Sequence, residues 1–357
     1  MPRCDYSQPP FRIRSTAADS GFFTFTQLFV RPLRYPKSRR FETMLSNPIL
    51  QACLNIVAPS PSKCSGVEAG NPHTSFCGGQ RLPNNRDLRV HALAHAIEGG
   101  ETISGRMPAL AADLVQHRVA VIVAADGTAA AVAAKAATPT IPIVFMVGAD
   151  PVELGFVESL GRPGGNMTGV SALAVGTVAK RLQLMHELMP TAAEIAFLRN
   201  PTNPNFSALE TRELQGAGVV LGLRLLILNA SNSSEIEEAF ANIVVQRVGA
   251  LLLGTDPFFI SGHDQLVTLA NRYKIPAIYP FREDVVAGGL MSYGSNNRDS
   301  YRLVGGYAGR ILGGKQPADL PVEQVTKIEM ALNLKTAKTL GITFPTSLLV
   351  RADDVIE

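Results

Sequence analysis

From Met107 onward the apolar positions of this chain alternate between two rhythms. Met107, Leu110, Leu114 and Val115 share one face of a helix with 3.6 residues per turn. VAVIVAA (119–125) is then an unbroken apolar run of strand length, as a strand covered on both faces requires. Gly127-Thr128 opens an alanine-rich helix to about Ala137, and 141–147 reads as the next strand. The same cycle predicts helices over 178–189, 206–217 and 264–273, and strands over 194–198, 223–228, 249–253, 276–279 and 289–293. Between two of these strands, Asn232 with Glu235 three residues on caps a helix whose apolar face is Ile236, Phe240, Ile243 and Val244. Strands alternating with helices at this spacing predict an α/β protein with parallel sheets. Right-handed crossovers then gather the strand-to-helix loops at the carboxyl edge of each sheet, where α/β ligand sites form.

Residues 1–105 follow neither rhythm. They hold PSPSK, GNPH and LPNN, scattered arginines and a cluster of Phe22, Phe23, Phe25 and Phe29. The chain of 357 residues is long enough for two buried cores, and 46% hydrophobic against 18% charged residues fits a globular protein. The net charge of +3 hides an asymmetry: residues 1–90 carry 12 Lys and Arg against 5 Asp and Glu, the remainder 21 against 25. The slightly acidic body predicts no nucleic-acid partner. All four cysteines, Cys4, Cys53, Cys64 and Cys77, precede residue 80. Cys64, His73 and Cys77 lack paired metal-ligand spacing, and His91 with His95 lacks the glutamate of HExxH, so no metal or other cofactor is expected. No apolar run is long enough to span a bilayer and no clear signal peptide opens the chain. Leu50–Cys53 is only faintly like a lipoprotein cleavage box.

The predicted carboxyl-edge loops are AADGT (124–128), VGADPVELG (147–155), RNPTNPN (199–205), LNASNSS (228–234), LGTDPFF (253–259) and YPFRED (279–284). They are rich in Asp, Asn, Thr and Gly, and each presents helix N-terminal N–H groups suited to a carboxylate or other anion. They carry no GxSxG, no phosphate-binding glycine pattern and no nucleophile–base pair, which favours binding over catalysis. Asp150-Pro151 and Asp256-Pro257 each fit a helix cap for structural reasons alone, because Asp is a preferred N-cap and Pro a preferred first helical residue. Ligand contact is the competing role. Asn200, Asn203 and Asn205 stand in the same position between turn chemistry and recognition. Tyr279 and Tyr293 end apolar strands, as core residues or as walls of a pocket for a planar ligand.

GADPVELGFVESLGRPGGNMTGVS (148–171), with NPTNPN, LLGTDPFF, IPAIYPFRE, GGLMSYGSN, GRILGGKQPADLPVEQ and NLKTAKTLGI, closely resembles the bacterial ABC-transporter substrate-binding protein family that includes the tryptophan- and tyrosine-binding lipoproteins. The resemblance runs from about Arg106 to Glu357 with the motifs in the same order. It implies a type I periplasmic-binding-protein architecture: two Rossmann-like lobes joined by three crossing strands, with the ligand in the cleft. Carried onto this chain, it puts the crossings near Gly165–Gly169, Tyr293–Ser295 and Leu320–Gln324. Lobe 1 is then 106–168 with 295–320, and lobe 2 is 169–294 with 321–357. The two Asp-Pro turns fall on opposite lobes, with Gly127-Thr128 offered to a ligand carboxylate and the Asn200–Asn205 loop answering from the other side. Residues 1–105 depart from the family's signal and first strand, as a shifted reading frame upstream of about Met107 would explain; such a segment would be disordered or non-native.

The resemblance implies a monomeric solute receptor for an ABC import system, working with membrane permease subunits. It would lie in the periplasm or be membrane-anchored outside the cytoplasm, and its hinge would close on an amino acid or small carboxylate. A ligand-sensing receptor for a membrane signalling protein is the alternative. An enzyme on the same scaffold is disfavoured by the absence of a reactive group.

Overall fold

The computed structural model describes residues 107–357 except 126 and 173, together with the backbone of seven short strands between Arg12 and Thr102. The cysteines, His73, His91, His95 and the cleavage-box residues all lie outside the described side chains, as does the proposed frame shift. Two sheets organise the described residues. The first is built from β1 (Val90–Ala92), β2 (Val121–Ala124), β3 (Ile143–Val147), β4 (Met167–Ser171) and a two-residue edge strand Glu323–Gln324, all parallel. Its edge strand β1 belongs to the segment that family resemblance did not cover.

The first sheet is covered on both faces, which is why its strands read as unbroken apolar runs. On one face α1 (Met107–Gln116) and α2 (Gly127–Ala137) bury Met107, Ala111, Leu114, Ala130 and Ala134 against Ile122, Ile143, Phe145 and Met167. Alanines on α2 let that helix lie close to the strands. The other face is closed by a helix from much later in the chain, Asn297–Leu312, through Tyr301, Val304, Tyr307 and Ala308. Continuing along the chain, α3 (Ala174–Leu188), β5 (Glu194–Arg199), α4 (Pro204–Leu221), β6 (Arg224–Asn229), α5 (Ser233–Gln246) and β7 (Ala250–Leu253) enter the second sheet and its helices. Then come α6 (Pro257–Ser261), α7 (His263–Arg272), β8 (Ala277–Tyr279), α8 (Arg282–Val286) and β9 (Met291–Ser295). The second sheet runs β6, β5, β7, β8, β9, followed by strands Ile328–Asn333 and Asp354–Ile356. Only β9 against Ile328–Asn333 is antiparallel.

The elements expected from periodicity are present, with ends shifted by a few residues. The expected division of the chain differs from the pairing at two points. All five residues of β4 pair with β3, so residues 169–171 lie with the first sheet, where the sequence had placed them with the second. Glu323–Gln324 likewise extends the first sheet by pairing with Val170 and Ser171. All of β4 is buried with the first sheet, whereas Glu323–Gln324 is an exposed edge that only its pairing with β4 assigns.

Close backbone approach explains Gly169. A Cβ there would lie 2.0 Å from the Phe145 carbonyl oxygen of the adjacent strand. Behind the carboxyl edge of the second sheet, Asp284 is buried and receives the Phe281 N–H at 3.2 Å, closing the first turn of α8. Burial pushes its carboxyl up to about 7 from an ordinary 3.8, with His263 pulling the other way.

Gly169→Ala is therefore expected to destabilise the fold, read by thermal unfolding, by more than the roughly 1–3 kcal/mol typical of overpacking, because rigid backbone must move. Gly216→Ala, in the middle of α4 with open space around it, is expected to stabilise by roughly 0.5–1 kcal/mol. Equal effects of the two would contradict this packing. For Asp284, a folded-state value raised above the unfolded one makes its contribution largest in acid and lost as pH rises from about 4 to about 7. Asp284→Asn, which retains an acceptor for Phe281, should thus match the wild type in melting at pH 4 and exceed it at pH 8. A constant difference across that range would show that Asp284 does not titrate as its burial demands.

Candidate functional site

Two of the polar loops at the carboxyl edge of the second sheet, 199–205 and 253–259, meet at one carboxylate. Asp256 follows β7 and is buried, with extended backbone (φ −145°, ψ 141°) and its side chain accepting the Phe258 N–H at 3.0 Å. This is the cap that Asp-Pro predicts. The remainder of the carboxylate is occupied by neighbours from a different loop. Asn200 donates to Oδ1 at 2.8 Å and Asn203 to Oδ2 at 3.2 Å. Both amides are buried.

Asn203 occupies the N-cap position of α4 yet makes no capping bond with its side chain, because its amide is directed at Asp256. Asn200 does keep a turn role, its Oδ1 accepting from the Thr202 N–H at 3.0 Å and hydroxyl at 2.8 Å. Turn chemistry alone accounts for Asn200 in part and for Asn203 not at all. Bringing three N–H donors onto one dry carboxylate satisfies the requirement that a buried charge be hydrogen-bonded.

Beneath this cluster lies a buried ion pair that the sequence reading did not single out. Arg181 of α3 and Glu210 of α4 meet at 3.0 Å with side chains almost fully buried. Arg181 also donates to the Leu253 carbonyl and, at 3.0 Å, to the Thr255 hydroxyl. Glu210 accepts the Thr255 N–H on both oxygens, at 3.2 and 3.0 Å. Burial pushes the Glu210 carboxyl up, opposed by the Arg181 charge and the Thr255 donors, and burial lowers Arg181. A sequence signal did exist. Arg181 shares a helix face with Val178, Leu182 and Met185, and Glu210 stands between Phe206 and Leu214 at helical spacing, so each charge interrupts an apolar stripe.

The first sheet approaches the same loops at two points. Gly127, at the start of α2 with φ +82°, sits against Pro257, so that a Cβ would lie 3.2 Å from the proline ring. Thr128 beside it is buried, with a hydroxyl that has no hydrogen-bond partner among the described residues. Gly148 lies so close to Phe206 that a Cβ would come within 2.8 Å of its ring. Ala149, Ala174 and Phe206 form a small apolar cluster of their own, separate from the cores of the two sheets.

The structure thus brings Asn200, Asn203 and Asp256 together and sets Gly127 and Thr128 across from them. The other expected residues are placed differently. Asp150 is exposed and caps its own turn by accepting the Val152 N–H at 2.8 Å, while Pro151 beside it is buried. Asn205 is exposed on α4. Tyr279 is buried in the core with a hydroxyl that has no partner among the described residues, and burial raises its pKa well above the ordinary phenol value. Tyr293 is half-buried and packs on the core formed with α3. Among the described residues no group of three metal-ligating side chains converges, and no helix is long and apolar enough to cross a membrane.

Comparison with known proteins agrees with this architecture. The tyrosine-binding protein of Clostridioides difficile (strain R20291) is 31% identical over 221 residues, 62% of this chain, and the match spans 63% of that protein's length. Among solved structures, a conserved domain protein from Vibrio cholerae O1 biovar El Tor superposes with a TM-score of 0.63 at 28% identity, covering 71% of this chain and 83% of that one. An ABC domain from Streptococcus pneumonia in complex with L-Trp gives 0.61 at 25% identity, covering 71% and 86%. The fold is that of the type I periplasmic binding proteins. The family described as ABC transporter substrate binding protein matches residues 101–356, and the chain belongs to that family.

Proposed function

We propose that this chain is the solute-binding component of an ABC import system and that it holds an amino acid between its two sheets, which act as lobes. The reading rests on one observation above the rest: a buried carboxylate, Asp256, dressed by the amide of Asn203, which forgoes its own helix cap, and by that of Asn200, which keeps its turn as well. A negative charge kept at a sheet's carboxyl edge suits a ligand ammonium group. Across from it, the N-terminus of α2 presents backbone N–H groups and the Thr128 hydroxyl, which suit a ligand carboxylate. An α-amino acid carries both groups a short distance apart. The relatives that bind tyrosine and tryptophan support an aromatic amino acid as ligand.

In this reading the lobes divide where the chain changes sheet, after β4, after β9 and after Glu323–Gln324, which the strand pairing supports. Gly127 against Pro257 and Gly148 against Phe206 are then contacts that close with the cleft. The family assignment further supports a protein that works outside the cytoplasm with membrane permease subunits, and we propose that it does so as a monomer.

Isothermal titration against a panel of amino acids and small carboxylic acids tests the reading, with L-tyrosine and L-tryptophan expected among the binders. Asp256→Asn should weaken the best ligand by at least about tenfold, since unpairing a desolvated charge costs roughly 2–5 kcal/mol. Asp150→Ala, which removes an exposed cap, should leave affinity within about twofold and cost about 1 kcal/mol of stability. No binding to any member of the panel, or equal sensitivity to the two substitutions, would contradict the proposed site.

A further inference from the structure

Buried ion pairs contribute little net stability, because removing two charges from water costs about as much as their attraction returns. Arg181 and Glu210 are such a pair, and their hydrogen bonds show a different purpose. Apart from the bond between them, every partner of the two side chains belongs to one short stretch: the Leu253 carbonyl, the Thr255 hydroxyl and the Thr255 N–H. That stretch ends in Asp256. Gly254, in its middle, donates to the Leu198 carbonyl at 2.8 Å. A Cβ on it would lie 2.9 Å from that oxygen and 3.3 Å from Glu210, so the turn fits its bed with no room to shift.

α4 therefore grips the turn twice, through Asn203 on the Asp256 carboxylate and through Glu210 on Thr255 two turns further along. α3 supplies the third grip through Arg181. We propose that Arg181 and Glu210 are positioning residues: they hold the Leu253–Asp256 turn so that the Asp256 carboxylate meets the ligand in one fixed place. That role in binding rests on the functional reading of Asp256 above. The fixing of the turn itself does not.

A planar guanidinium and a carboxylate suit this task better than apolar side chains would. Each makes several directional bonds at once, so the backbone at 253–255 has a single arrangement that satisfies them. An apolar pair would fill the same volume and leave the turn free to choose among several.

Two variants separate positioning from general stability. Glu210→Gln keeps the volume and one acceptor but removes the charge. Arg181→Met with Glu210→Leu replaces the pair by apolar side chains. In the ligand-free proteins, amide hydrogen exchange is measured at Thr255 and Phe258 and, as an internal reference, at Ile195 and Leu252 in the sheet core. The proposal expects exchange at Thr255 and Phe258 to accelerate by about tenfold or more in both variants, the scale of losing one charge-assisted hydrogen bond. The reference amides should change far less. Affinity for the best amino acid of the panel should fall by about tenfold in step. If all four amides accelerate together, or if Phe258 is unaffected in both variants, the pair is a core ion pair and the proposal is overturned. If the turn loosens as expected while wild-type protein binds no amino acid, the positioning of the turn stands, its role in binding falls, and the functional reading of Asp256 fails.

Discussion

A carboxylate held out of water must be surrounded by donors, and that requirement at Asp256 organises the second half of this molecule. Left unpaired, such a charge would cost several kcal/mol or take up a proton. The donors come from the β5–α4 loop and from the first turn of α6, and the loop commits two asparagines to the purpose. Those commitments fix where α4 begins. They also explain why an N-cap asparagine forgoes its own helix, since Asn203 is held at Asp256 instead. Arg181 and Glu210 extend the same logic one layer down, where a charge pair anchors the backbone that carries the charge above it.

Two sheets of apolar strands make this arrangement possible. Their interiors are closed on both faces by helices, so nearly all polar side chains with freedom to act are driven to the loops. Parallel topology then places those loops at the same edge. The first sheet contributes little side-chain chemistry of its own at the described positions. What it offers is backbone: the glycine-opened N-terminus of α2, and at Gly148 a surface without a side chain onto which Phe206 fits.

The sequence was most readable where a local rule and the tertiary outcome coincide. Runs such as VIVA and ALLL are strands because both faces are covered, and Asn232 accepts the Glu235 N–H as their spacing announces, while the Glu235 carboxylate accepts from Ser231. Asn200, Asn203 and Asp256 were legible as members of carboxyl-edge loops, but that their side chains meet depends on β5 and β7 being neighbours. Asp150 and Asp256 look alike in sequence, each a small residue then Asp-Pro after a strand. Their surroundings separate them: one faces solvent over its own turn, the other lies under α4. Arg181 and Glu210 were hidden because a charged residue on a helix is ordinarily solvated. Only its place within an apolar stripe marks it, and its partner lies 29 residues away. Strand ends and the division between sheets were least legible, since pairing decides whether residues 169–171 and 323–324 extend the first sheet.

In the proposed complex Asp256 meets the ligand's ammonium group while the start of α2 meets its carboxylate. A crystal structure of the protein with bound L-tyrosine or L-tryptophan tests it most directly. The proposed site requires the ligand amine within hydrogen-bonding distance of Asp256, and the ligand carboxylate on the backbone at Gly127 and Thr128. A ligand seated elsewhere, with Asp256 bonded only to its protein neighbours, would contradict it.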